Sequence, residues 1–156
     1  MRLWRLSTAA FADAFDGGYG LVMEGRWNRL GQRITYTATV PSLCVLEKLV
    51  HIEDPGLLPD DLRMVAYDVP DDLPATTVAP DDLPPGWAAD EGLSQQIGTR
   101  WYHAAETPLL RVPSAVVGLP GAPDRNVVVN NAHPLAARIR VAGVAPFTLD
   151  PRLLRS

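Results

Sequence analysis

The chain has 156 residues, is 47% hydrophobic and 21% charged, and carries a formal net charge of −4. That length suits one domain, 1–156, with a real core, and the composition is that of a globular chain, not a disordered one. An acidic balance without a basic run argues against direct nucleic-acid binding. A single cysteine, Cys44, excludes an internal disulfide or a multi-cysteine metal site. No apolar run approaches the roughly 20 residues that span a bilayer, and the charged start "MRLWRLST" is unlike a secretory leader. The expectation is a cytoplasmic protein that does not insert in a membrane.

In chain order, Met1–Leu6 reads as a first strand. Ser7 or Thr8 is placed to cap a short helix through Ala14, ended by Gly17 and Gly18. Gly25–Gly31 reads as a loop, and Arg33–Ala38 as a strand on its Ile, Thr and Tyr. Ser42–His51 reads as a helix that stops before Asp54-Pro55-Gly56. Leu62–Val69 alternates as a strand does. "PDDL" recurs at 59, 70 and 80. These spacings are too short for a structural repeat, so 70–90 reads as a long surface connection built of turns. Leu93, Ile97 and Trp101 predict a helix over Glu91–Ala104. Leu109–Val112, Ala115–Val117, Asn126–Asn130, Arg138–Val141 and Phe147–Leu149 read as short strands. Interspersed strands and helices, with many short strands late, indicate an α+β domain with antiparallel or mixed sheets.

One residue stands out within Ser42–His51. At about 100° per residue, Leu43, Leu46, Leu49 and Val50 define an apolar arc, and Glu47 falls between Leu43 and Cys44 at its border. Burying an ionised carboxylate without partners costs several kcal/mol. Such a glutamate snorkels, pairs with a structural arginine, or serves a site. Arg26 and Tyr36 precede it. Arginine binds a diphosphate through paired charge-assisted hydrogen bonds, tyrosine stacks on a flat heteroaromatic ring, and a carboxylate steadies an oxocarbenium-like ribose. Together these jobs describe cleavage of the nicotinamide–ribose bond of NAD. Other chemistries lack support. "VPSAV" around Ser114 has no glycines of a nucleophile elbow. His51, His103 and His133 have no metal-ligand spacing. Gly17–Gly20 lacks the Lys of a phosphate loop and reads as a flexible lip. Trp27 reads as core, and Asn28 as turn chemistry.

"GRWNRLGQRITYTATVPSLCVLEKLVH", "PPGW", "LLRVPSAVV", "NVVVNNAHP" and "PFTLDPRLL", in that order, resemble the RES-domain toxins of bacterial toxin–antitoxin pairs, from Leu3 to Leu154. The resemblance implies an ADP-ribosyltransferase-like fold, in which two small mixed or antiparallel sheets, flanked by helices, form an NAD cleft. It implies NAD as substrate, with no metal. The activity implied is transfer of ADP-ribose to a target protein, with NAD breakdown without a protein acceptor as the alternative; a non-catalytic binding module is the contrasting class. It implies an antitoxin with a helix-turn-helix domain that covers the cleft and handles DNA, and leaves open a homodimer or a hetero-oligomer with that antitoxin. Residue by residue, Glu47 would stabilise the ribose cation, Tyr36 would stack on nicotinamide, and Arg26 would contact diphosphate or ribose. Ser114 would hydrogen-bond the nicotinamide or ribose end, Arg5 is a second phosphate candidate, and Asn126 would line the cleft. Asn131-Ala132-His133 departs from the family's Asn-Pro before the late histidine, which weakens the ground for a role of His133 and leaves that role open.

Overall fold

The computed structural model describes residues 1–154; the last two residues of the expected 1–156 domain lie outside the described residues. Seven strands form one hydrogen-bonded sheet: β1 (Arg2–Thr8), β2 (Ile34–Ala38), β3 (Leu62–Asp68), β4 (Ala75–Thr77), β5 (Leu109–Val112), β6 (Asn126–Asn130) and β7 (Arg140–Pro146). Their spatial order is β4-β5-β6-β2-β1-β3-β7. All neighbours are antiparallel except β4 with β5. The expected pair of separate sheets is thus one sheet, but with a seam. β1 and β2 share a single registered pair, Trp4 with Ala38, whereas β1 and β3 pair along seven residues.

Strand alternation sorts the side chains onto two faces. On one face Leu3, Val65, Tyr67, Leu109, Val127 and Val129 form a core closed by Phe15 and Leu73. The other face carries two clusters. Ile34, Leu110, Val112 and Val128 pack with Trp27 and with Trp101 of α3 (Glu91–Ala104). Ala38 and Met64 pack with Leu43 and Cys44 of α2 (Pro41–Leu49). Both longer helices therefore cover the same face, and the interval between their clusters lies over Tyr36 and Ala38 of β2 and Asn126 of β6.

Helix α3 matches its predicted limits because Asp90 caps it, accepting a hydrogen bond from the Leu93 amide. Several expectations are corrected. The helix over 8–14 is only a 3-10 turn, Ala9–Phe11, without a side-chain cap from Thr8. Arg5 instead takes the carbonyls of Phe11, Ala12 and Ala14, which fixes the segment in an irregular path. Ala115–Val117 is no strand, because the amides of Val116 and Val117 bond to Ser114 Oγ. Phe147 extends the β3 pairing by one bond to Leu62, but 147–149 forms no strand of its own; the late strand runs instead over Arg140–Pro146. The 70–90 connection contains β4, and each "PDDL" turn buries its leucine: Leu62, Leu73 and Leu83. The glycine-rich stretch is packed and is not a loose lip: a Cβ on Gly20, in the short helix α1 (Tyr19–Val22), would lie 2.0 Å from the Gln32 carbonyl oxygen.

Gly98 shows the same constraint in α3. A Cβ there would meet the Trp27 carbonyl oxygen at 1.8 Å. Gly98→Ala is expected to lower unfolding free energy by roughly 1–3 kcal/mol, the usual cost of overpacking. Gly92→Ala, whose Cβ meets only Asp90 Oδ1 at 3.4 Å, should shift it by less than about 0.5 kcal/mol. Urea unfolding of the two variants checks the contrast.

Candidate functional site

Helix α2 starts at Pro41, preceded by extended Val40, as proline's fixed φ favours. Leu43 and Cys44 seat it on the sheet, and the Cys44 thiol donates to the Trp4 carbonyl at 3.3 Å. Glu47 is one turn further on. The helical arc inferred from its leucines is rotated: Leu46 and Val50 are 40% and 56% exposed, while Glu47 is half-buried on the side of Leu43 and Cys44. Glu47 turns partly into the protein, as its place at the border of the arc led one to expect, while Leu46 and Val50 face solvent.

Two side chains from the sheet receive it. Ser114 Oγ donates to Glu47 Oε1 at 2.8 Å, and Asn126 Nδ2 donates to the same oxygen at 2.6 Å. Ser114 is fully buried and lies two residues beyond Val112, which pairs with Asn126 across β5 and β6; all three therefore share a face. Its hydroxyl is oriented by accepting the amides of Val116 and Val117, each at 3.0 Å. No cation stands within ion-pair distance of Glu47 among the described residues. Oε1 is thus fixed by neutral donors, while Oε2 has no donor among the described residues and is not sealed off.

A second group sits beside it on the same face. Tyr36 pairs with Val128, and Ala38 pairs with Asn126, so Tyr36 and Asn126 are diagonal neighbours, about 7–8 Å apart by ordinary sheet geometry. The Tyr36 hydroxyl accepts the Trp27 amide at 2.9 Å and donates to Asn28 Oδ1 at 2.9 Å. It thereby ties down the tight turn Gly25-Arg26-Trp27-Asn28, closed by the Asn28 amide on the Gly25 carbonyl. Burial raises the Tyr36 phenol well above its ordinary 10.0, against the opposing effects of the Trp27 hydrogen bond and the Arg26 charge. Arg26 displays a buried Nη1 without a hydrogen-bond partner among the described residues. An unpartnered buried guanidinium nitrogen is costly and suits a site that an anion completes. Tyr19 stands edge-on to Tyr36 with ring centroids 6.0 Å apart.

The structure therefore joins Glu47, Ser114 and Asn126 directly, sets Tyr36 beside Asn126 on the same face, and holds the turn of Arg26 at the Tyr36 hydroxyl. It separates Arg5. Arg5 alternates with Trp4 and shares the face of Leu3 and Tyr67, with its guanidinium 5.8 Å above the Tyr67 ring. It lies across the sheet from Glu47, and its guanidinium holds the carbonyls of Phe11, Ala12 and Ala14. His133 Nδ1 accepts the Leu135 amide, capping a 3-10 turn. Two contributors escaped sequence reading: Gln95, which donates to the Gly25 carbonyl at 3.1 Å, and Gly98. The small residues Ser94 and Gly98, one turn apart on α3, were the available signal of a close helix approach. Among the described residues, no group of three or more His, Cys, Asp or Glu side chains is placed to hold a metal ion.

A single mixed sheet carries on one face a carboxylate fixed by Ser114 and Asn126, with the half-buried Tyr36 on the same face, in an α+β chain. The chain belongs to the RES-domain family, whose RES domain pattern matches residues 2–150. It is 38% identical over 157 residues to Toxin Res of Pseudomonas putida, covering 98% of this chain and 99% of that one. It is 35% identical over 159 residues to the Prs ADP-ribosylating toxin of a Sphingobium species, covering 97% and 96%. The fold is shared with a chain of the M. tuberculosis MbcT–MbcA toxin–antitoxin complex at a TM-score of 0.70 and 17% identity, over 94% of this chain and 84% of that one.

Buried protonated groups give the fold a pH signature. Burial pushes the Cys44 thiol from 9.0 up to about 12 and the Tyr67 phenol from 10.0 up to about 12, and it raises Tyr36 as well. The folded state holds these protons after the unfolded chain has released them, so stability falls as pH rises. Urea midpoints are expected to be insensitive to these groups below pH 9.0 and to decline from there toward about 12. A flat profile through that window would mean that the three groups are solvated.

Proposed function

We propose that this chain is an NAD-dependent ADP-ribosylating toxin of a toxin–antitoxin pair. The observation that carries the reading is the Glu47 carboxylate, with Oε1 fixed by Ser114 and Asn126 and Oε2 left for a ligand. Cleavage of NAD breaks the bond between the ribose anomeric carbon and the nicotinamide nitrogen. Nicotinamide leaves with the bonding pair, and positive charge develops on the ribose. A carboxylate already oriented, with no cation paired to it, stabilises that charge without reorganising. Its free oxygen holds a ribose hydroxyl or the incoming acceptor. Arg26 supplies the positive charge for the diphosphate, and the Tyr36 ring, half-buried beside it, supplies a flat face for nicotinamide. Ser114 and Asn126 act through Glu47.

The acceptor we favour is a protein, on the printed name of the Sphingobium relative; Prs is the first to test. The 70–90 connection, which brings Trp87 to 6.0 Å from Trp27, offers a rim for such a target. The antitoxin partner follows from the M. tuberculosis neighbour, a toxin–antitoxin complex. We place its seat over Leu46 and Val50, exposed on the helix that carries Glu47, and give it the helix-turn-helix domain that would deal with DNA. A cytoplasmic site of action fits both partners. Among the described residues, no helix is long and apolar enough to cross a membrane.

The direct test is incubation of the purified protein with NAD and Prs, following free nicotinamide and the mass of Prs. Wild type should release nicotinamide and add ADP-ribose to Prs. Glu47→Gln, which keeps the shape and an acceptor oxygen, should lose at least about a thousandfold in kcat, the scale of a removed transition-state charge partner, with its thermal midpoint retained. Loss of the fold instead would mark Glu47 as structural. Arg26→Ala should raise KM for NAD by about ten- to a hundredfold, as loss of a charge-assisted anion contact does. Nicotinamide release with no protein labelled would make water the acceptor.

A further inference from the structure

The turn that presents Arg26 is held from two directions. From the sheet, the Tyr36 hydroxyl binds the Trp27 amide and the Asn28 side chain. Asn28, fully buried, uses its own amide group on the carbonyls of Met23 and Arg29. From the opposite side comes α3. Its Gly98 lets the helix backbone approach the Trp27 carbonyl more closely than any side chain would permit. Three residues earlier, Gln95 reaches the Gly25 carbonyl with Nε2 at 3.1 Å.

Gln95 is 6% exposed. Burying a side-chain amide costs free energy unless it is bonded, a cost that a leucine or methionine would not carry. Nor does the Gly25 carbonyl need Gln95 to escape being orphaned, since it already accepts the Asn28 amide within the turn. The extra bond therefore adds constraint and does not cure a deficit. The Trp27 and Asn28 amides and the Gly25 carbonyl are all bonded, and Trp27 anchors the turn in the core. Arg26 keeps a buried donor, Nη1, without a partner among the described residues, as Trp27 does with its indole Nε1.

We infer that Gln95 is a positioning residue for Arg26: its side-chain amide locks the 25–28 turn so that the guanidinium is held ready for the diphosphate of a dinucleotide. This rests on the reading of the site as an NAD site. The mechanism is preorganisation, in which the ordering cost is met on folding and not on binding. Gln95 itself touches no substrate.

The test uses the full chain and two readouts. Gln95→Met keeps length and burial but removes the donor. Steady-state nicotinamide release should show KM for NAD raised about five- to tenfold, the scale of one hydrogen bond, with kcat within about twofold. In an Arg26→Ala background the same change should leave KM where Arg26→Ala put it, because the turn then has nothing to present. An unchanged KM in Gln95→Met, or an equal multiplication of KM in the Arg26→Ala background, overturns the inference; so does a fall in kcat alone, which would mark Gln95 as merely structural. Hydrogen exchange of the 25–28 amides, without NAD, is the second readout. Gln95→Met should accelerate it, and unchanged exchange also overturns the inference. A wild type that releases no nicotinamide would instead sink the NAD reading, and the exchange would then decide the clamp by itself.

Discussion

The pairing of one carboxylate oxygen with two neutral donors governs this structure. Glu47 Oε1 takes hydrogen bonds from Ser114 and Asn126, and much of the fold can be read as what brings those three side chains together. Helix α2 is turned so that its carboxylate faces the sheet and Leu46 and Val50 face outward. The segment after β5 abandons strand pairing, because the amides of Val116 and Val117 orient the Ser114 hydroxyl. A structural ion pair would have used an arginine here and quenched the charge. Neutral donors hold the group in place and leave its charge available to whatever binds at Oε2.

The second constraint is the seam in the sheet. β1 and β2 meet at one registered pair, Trp4 with Ala38. Ala38 is also the small residue beside Asn126, so the site sits where the two parts of the sheet part company and where the side chain on β2 is least bulky. The helices that cover this face pack into separate clusters, one around Trp27 and Trp101 and one around Leu43 and Met64. The bonded Glu47, Ser114 and Asn126 side chains occupy the ground between them.

How much of this was legible in the sequence depended on whether the signal was local. Strand β2 and helix α3 were readable because β-branched residues and a four-residue apolar spacing report on the segment itself. So were β5 and β6. The rotation of α2 was not. Which arc of a helix is buried depends on what lies beneath it, and Ser114 and Asn126 arrive from about seventy to eighty residues away in sequence. β4 was hidden because three residues among proline turns carry no period, yet β5 offers them an edge. Arg5 looked like a phosphate ligand by residue type, and only strand parity puts it on the far face. Glu47, Arg26 and Tyr36 were legible as chemistry, whereas Ser114 and Asn126 were reachable only through resemblance. Gln95 was not reachable at all, because a glutamine in a helix reads as solvent-facing.

Under the proposed function a dinucleotide has one place to lie. A crystal structure of the Glu47→Gln protein with NAD bound tests it directly. The nicotinamide ribose should lie within hydrogen-bonding reach, about 3 Å, of the residue-47 side chain on the side away from Ser114 and Asn126, with Arg26 Nη1 on the diphosphate. NAD bound elsewhere on the molecule, with Arg26 still bare and residue 47 untouched by ribose, would contradict it.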